Sequence, residues 1–442
     1  MRAVALVGAL VAHATPALGQ PVVLPPPGEP PPDGKASPEA PGRLVGPGVS
    51  TDPARAPREA APGQPVKGLT VVDTTVTART TAAPGQGFTV TTGDSFSVTI
   101  RPRIQLRETL GLTPGDVTSE TQIRTLRLNL GGHVYSPEVL YFIQLAFGGN
   151  DYEKDSASPI FDAFVEQAHF RDLRLRVGQF FVPFDRARTV REFALQFVDR
   201  QQSVRELSLD RDVGVMLWSP DLFGAGIAGY HLFVGSGDGK NRFGAQPSGP
   251  IAVVRVVLRP FGVFDDDVEG DLARRTSPRL AVGVAGAYNW TTNRAQSTLG
   301  DTLTAGRTNY RHAAADLVFK WRGVSVLAEV LYRGASVDTL TGGTADKPVI
   351  EHTRSGWGYF AQAGVMLTDH LEVVGRWDEL RARSGTEPKL VSLVAAQGKQ
   401  ATGGVNYYAH GHALKFQADY TQAIDPEGST MRMARLQLDA SF

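Results

Sequence analysis

From Ser95 to Arg107 the chain reads SFSVTIRPRIQLR, with Phe96, Val98, Ile100, Ile104 and Leu106 on one parity and Ser97, Thr99, Arg101, Arg103, Gln105 and Arg107 on the other. A period of two is that of a β-strand, whose successive side chains point to opposite faces of the sheet. One face therefore suits an apolar surround and the other suits water. Pro102 breaks the ladder of donors, which fits a bend or bulge. The alternation recurs along the chain. Leu126, Leu128 and Leu130 oppose Arg127 and Asn129, Tyr141, Ile143, Leu145 and Phe147 oppose Gln144, and Leu173, Leu175 and Val177 oppose Arg174, Arg176 and Gly178. In PIAVVRVVLRP, Val254, Val256 and Leu258 oppose Arg255 and Arg259. Such strands fit a wall between lipid and a water-filled lumen.

A run of 18 apolar residues, the mark of a membrane-spanning helix, does not occur after the N-terminus. A transmembrane barrel hides its hydrophobicity in alternation and stays compatible. With 45 basic against 45 acidic residues the chain lacks the positive excess of a nucleic-acid binder. It also has no cysteine, so neither a disulfide framework nor a thiolate site is available.

Taken in order, residues 1–20 (MRAVALVGALVAHATPALGQ) read as a secretory signal, with one Arg, an apolar run and small residues before a cleavage site near Gly19. Residues 21–68 read as a disordered tether: 14 of the chain's 29 prolines lie between Pro21 and Pro65, too little apolar surface to offset ordering. Residues 69–93 hold two Thr/Val-rich pieces that suit short strands but leave their role open. Residues 94–442 read as an all-β, transmembrane antiparallel β-barrel. Besides the five strands named above, others fall near 161–170, 212–218, 225–234, 279–290, 309–322, 324–333, 355–367, 370–379, 401–409, 412–422 and 431–442, which brings the expected count to sixteen. That is roughly 22 residues per strand and connection, where about 10 suffice to cross a bilayer. Short connections alternate with long polar ones, as in barrels with periplasmic turns and extracellular loops. Tyr288, Trp290, Trp321, Tyr332, Trp357, Tyr359, Trp377 and Tyr407 fall near strand ends, where interfacial girdles sit. The last strand, RMARLQLDASF, puts Leu436, Leu438, Ala440 and Phe442 on one face. An aromatic ending an amphipathic strand resembles the signal read by the outer-membrane assembly machinery.

Between two strands, after Pro183, the segment 184–212 is crowded with Arg186, Arg188, Arg191, Arg200 and Arg205 beside Asp185, Glu192, Asp199 and Glu206. This predicts a loop folded inward to constrict the lumen. GSGDGK at Gly235 lacks the spacing of a phosphate-cradling loop and reads as a flexible surface loop. DDDVEG at Asp265 begins like a calcium loop, but its twelfth position is Thr276, so it reads as a solvated acidic turn. The histidines form no HExxH pair, and no metal site, cofactor or catalytic constellation is expected. What remains is arginine, 36 of the 45 positive charges. A guanidinium is permanently charged and offers a fork of donors to phosphate or carboxylate oxygens. Arg101, Arg103, Arg107, Arg127, Arg174, Arg176, Arg255 and Arg259 share the inward parity, and Arg186, Arg188 and Arg191 sit on the loop. These eleven are the candidate pore-lining, anion-binding residues, with small inorganic anions as partners. A structural alternative pairs lumen arginines with lumen acids such as Glu329, Glu372, Asp378, Asp419 and Asp439.

RVGQFFVPF followed by RDVGVMLW, with DSFSVTIRPRIQL, DAFVEQAHF, YFAQAGVML, HLEVVGRWDEL, GGVNYY and LKFQADYTQ in that order, resembles the phosphate-selective porin family, the porin O and P type. The resemblance covers most of 87–442. It implies a homotrimer of sixteen-stranded barrels in the outer membrane, surrounded by lipid, whose inward loops narrow an arginine-lined path for phosphate or polyphosphate. Selective members keep a lysine cluster near the mouth, whereas this chain has nine scattered lysines. The rival expectations are a plugged adhesive barrel without conductance and a secreted soluble β-protein.

Overall fold

The computed structural model describes residues 78–113, 115–148, 151, 158–242, 248–427 and 431–442. The signal, the tether and residues 69–77 lie outside them. The described strands are β1 (Ala78–Ala83), β2 (Gly87–Thr92), β3 (Phe96–Thr113), β4 (Asp116–His133), β5 (Val139–Ala146), β6 (Ile160–Gln167), β7 (Arg174–Phe181), β8 (Arg211–Ser219), β9 (Ala228–Gly235), β10 (Ile251–Leu258), β11 (Arg279–Thr292), β12 (Thr308–Trp321), β13 (Val324–Ala335), β14 (Thr339–Thr344), β15 (Lys347–His352), β16 (Gly356–Met366), β17 (Leu371–Ala382), β18 (Lys399–His412), β19 (Leu414–Ala423) and β20 (Arg432–Ser441). β14 and β15 form a separate hairpin within a long loop. Sequential strands pair antiparallel, and β20 pairs back onto β3 from Met433 opposite Gly111 to Ser441 opposite Arg103. That pairing closes a barrel of sixteen strands, so no open sheet edge is left on the ring.

The pieces before the barrel resolve into a hairpin. β1 pairs with β2, and β2 pairs with the start of β3, from Phe88 opposite Ile100 to Thr92 opposite Phe96. It uses the edge of β3 that β20 takes further along.

Parity is kept as the sequence sets it. In β10, Val254, Val256 and Leu258 are 43–54% exposed on the outer wall, while Arg255 between them is 5% exposed. Trp290, Trp321, Trp357 and Tyr407 face outward near strand ends. Tight turns mark one end of the ring. Between β12 and β13, Arg322 and Gly323 both take positive φ, 50° and 85°, the conformation of a two-residue hairpin turn.

The inner wall departs from an all-polar lumen. Val253, Val257, Ala281, Ala285, Ala314, Val318, Leu327, Leu331 and Phe360 point inward and are buried in one apolar cluster with Phe184, Ala187, Val204, Leu207 and Leu209. The latter belong to the 182–210 connection of β7 to β8, which enters the lumen and carries two short helices, α1 (Arg186–Thr189) and α2 (Gln202–Leu207). About half of the inner wall is therefore the floor of a core. Its apolar residues are covered because each would otherwise leave tens of Å² of apolar surface in water, at about 25 cal/mol per Å².

Two other expectations are corrected. The acidic stretch at Asp265 is a solvated turn only in part: Asp265 and Asp267 are exposed, but Glu269 and Asp271 are each 1% exposed, because the 259–278 connection folds up into the lumen. GSGDGK is not a loose surface loop either. Gly237 and Gly239 turn the chain with positive φ, Lys240 donates to the Asp151 carbonyl at 2.9 Å, and Asp238 and Lys240 are buried.

Val256→Arg, at mid-strand on the outer wall, should destabilise the folded barrel by about 2–4 kcal/mol, read from urea unfolding in phospholipid vesicles.

Candidate functional site

The loop is hung from the wall by carboxylates. Glu329 accepts from the peptide N–H groups of Arg186 (3.2 Å) and Ala187 (3.0 Å). Asp378 accepts from the Ser203 hydroxyl (2.6 Å) and the Gln202 N–H at the start of α2. Asp419 accepts from Val198 N–H (3.0 Å), and Glu372 from the Gln196 side chain (2.5 Å) and the Tyr408 hydroxyl (2.6 Å). Peptide groups this far from any strand need such acceptors, since an unmet buried N–H costs about 1–3 kcal/mol. The acids of β13, β17 and β19 thus end up beneath the loop.

The opposite side of the lumen stays open. A space of about 670 Å³, open to solvent, is lined by Arg101, Arg103, Arg127, Arg191, Arg200 and Arg211, with Glu192 among them. It reaches Gly85, Ala413 and Ser441 at the tight-turn end. A second space of about 440 Å³ is lined by Arg107, Arg124, Arg188, Arg200 and Arg205, with Glu192 and Asp199. Arg200 and Glu192 border both spaces.

Several of these guanidiniums are held by acids or rings. Arg103 pairs with Asp439 (Nε–Oδ1 2.8 Å), Arg211 with Asp162 (2.8 Å), and Arg188 with Asp210 (2.9 Å). Arg127 lies 3.1 Å from both Asp151 and Glu192 and 4.6 Å over the Phe161 ring. Arg107 reaches Asp199 at 3.5 Å and donates to the Val198 carbonyl at 2.6 Å. Arg191 is 3.7 Å from Asp162 and 4.9 Å from the Phe142 ring. Arg200 instead donates to the carbonyls of Ala187 and Val190, the latter at 2.7 Å, and has no carboxylate within ion-pair distance among the described residues. Among the described residues Arg101 and Arg124 have no ion-pair partner, which leaves their donors to the solvent path.

The remaining candidates lie elsewhere. Arg186 and Arg255 share Asp316 at 2.6 and 2.5 Å, with Arg186 also 2.9 Å from Asp266, and Arg259 sits 3.0 Å from Asp266. These three are locked behind the loop and do not line the passage, because the loop's core covers that wall. Arg174 and Arg176 keep inward parity but share Glu166 at 3.7 and 2.5 Å. Arg176 stacks 4.2 Å over Phe164 near the tight-turn end, outside the two spaces.

Sequence parity misses Arg124, Arg200, Arg205 and Arg211. Arg124 is the extra residue of a β-bulge: Gln105 faces Thr125, but Leu106 faces Ile123. A bulge breaks the alternation, so Arg124 joins Thr125 on the inner face where strict counting puts it outside. The loop arginines follow no period, and only the fold of the loop places them.

Charge along the passage is set by mutual fields. Burial raises the Glu192 pKa, but Arg127, Arg200, Arg103 and Arg124 outweigh it and hold the carboxyl well below the usual carboxylate range. For Asp199, burial is likewise overcome by Arg205, Arg107, Arg435 and Arg124. Arg200 is pushed down to about 10 by burial and then by Arg188. Both acids are anionic and Arg200 is cationic at neutral pH.

No family model matches the chain, and no curated protein matches it. Among solved structures, OmpF of Salmonella typhi in complex with daunomycin aligns at a TM-score of 0.52 and 14% identity, covering 82% of this chain and all of that one. The anion-selective porin from Comamonas acidovorans aligns at 0.50 and 10% identity, covering 78% and 99%. The fold is that of the outer-membrane porins. This porin fold places an inward loop and an arginine-lined opening in the same lumen.

Zero-current potentials in planar bilayers should be flat from about pH 5 to about pH 9, since the two acids titrate below that window and the arginines above it.

Proposed function

We propose that the chain is an outer-membrane porin, exported by its N-terminal signal, that lets small anions diffuse passively. The observation that carries this is the sorting of charge across the lumen. Glu329, Glu372 and Asp378 of β13 and β17 are taken up by the loop and have no ion-pair partner among the described residues, Asp419 of β19 is shared between the loop and Arg435, and the facing wall presents arginines, two of them without an acid partner. Positive potential in a low-dielectric conduit concentrates anions and repels cations. A solute would pass from Arg101 past Arg200 and Glu192 to Arg124, each contact strong enough to replace some hydration and weak enough to release. Carboxylates and phosphates both fit the guanidinium fork. Phosphate preference, trimer assembly and delivery by the outer-membrane assembly machinery through Phe442 belong to the same proposal, carried by the sequence resemblance.

The filled half of the lumen favours one rival, a plugged barrel. Single-channel recording separates them, because a plugged barrel gives no current steps. In the porin, Arg101→Gln combined with Arg124→Gln should lower the chloride-to-potassium permeability ratio severalfold. Arg174→Gln with Arg176→Gln should change it less, and an unaltered ratio in the Arg101/Arg124 variant would overturn the assigned path.

A further inference from the structure

The 259–278 connection is at the tight-turn end, yet it runs inward and across the lumen beneath the loop. Arg186 donates to the Asp266 carbonyl and carboxylate at 2.7 and 2.9 Å. The Glu269 carboxylate accepts from the Gln196 N–H at 2.6 Å and from Gln362 of β16 at 2.9 Å, while the Glu269 N–H donates to the Ala194 carbonyl at 3.2 Å. Val268 packs on the small core of Val190, Ala194 and Leu195. Asp271 accepts from Gly323 N–H at 2.8 Å, in the β12–β13 turn. A Cβ on Gly270 would lie 3.0 Å from Leu272, 3.1 Å from the Glu372 carboxylate of β17 and 3.6 Å from the Tyr408 hydroxyl of β18, so the segment passes close against that wall. Anchored from β10 to β18 and bonded to the loop above, the segment lies under the whole filled half.

We propose that this connection is a fixed floor: it seals one half of the lumen from below, sets the exclusion limit of the channel, and confines solutes to the arginine passage. The inference rests on the channel reading. Closure by the loop alone would leave Asp316, Glu329 and Glu372 facing the tight-turn mouth, and an opening there would admit cations. The buried anchors hold the floor in place, and its peptide groups are met on both the loop and the wall.

The test replaces residues 262–276 by a short Gly-Ser turn in the full chain. Single-channel conductance in potassium chloride should rise about twofold or more, larger neutral sugars should enter in liposome swelling, and anion preference should fall. Unchanged conductance and exclusion limit would overturn the proposal. Should the shortened chain not fold, Ala194→Cys with Val268→Cys in this cysteine-free chain supplies a second arm. Oxidised and reduced channels of equal conductance support a fixed floor, whereas higher conductance on reduction means that the segment leaves its place, which overturns it. Absence of steps in the unaltered protein would instead sink the channel reading itself.

Discussion

A loop that leaves its sheet must find partners for its peptide groups, and in this barrel three wall carboxylates supply them while a fourth takes a loop side chain. Glu329, Asp378 and Asp419 take backbone N–H groups directly, and Glu372 holds the Gln196 side chain. Everything about the lumen's electrostatics follows from that use. Glu329, Glu372 and Asp378, taken up beneath the loop, have no guanidinium within ion-pair distance among the described residues, whereas Asp419 also holds Arg435 at 2.7 Å. A chain of zero formal net charge can therefore line its opening with positive groups.

The second element of the arrangement is apolar. Inner-wall alanines, valines and leucines would be out of place in a water-filled bore, but here they meet Phe184, Val204, Leu207 and Leu209 of the loop. Hydrophobic contact supplies the attraction and the carboxylates supply the register. The Arg200 bonds to the carbonyls of Ala187 and Val190 tie its guanidinium to the same packed loop.

Strand parity made the barrel legible in the amino-acid order, because a lipid-facing wall tolerates little besides apolar residues at alternate positions. Val254, Val256 and Leu258 outside, with Arg255 inside, needed no further information. The candidate site was legible in part. Arg101, Arg103, Arg107 and Arg127 on β3 and β4 line the opening as alternation implies. Arg255 obeys the same alternation and is nevertheless locked behind the loop, since parity fixes a side but not what comes to cover it. Arg124 fails for a local reason, a single bulge, and the acidic 259–278 connection fails for a tertiary one. Its carboxylates resemble solvated charges until the partners contributed by Arg186, Gln196 and Gly323 are in place.

The ring has a seam where β20 meets β3, and an ion pair on its inner side, Arg103 with Asp439, joins residues 336 positions apart. So distant a contact carries the largest loop-closure cost on the ring, and the seam stays open until that cost is met. Until then both strands carry bare edges of the kind that invite pairing with other chains. Because β2 already occupies the lower part of the β3 edge, it leaves β20 a berth of defined length, and misregistered closure by a whole strand repeat would collide with that hairpin.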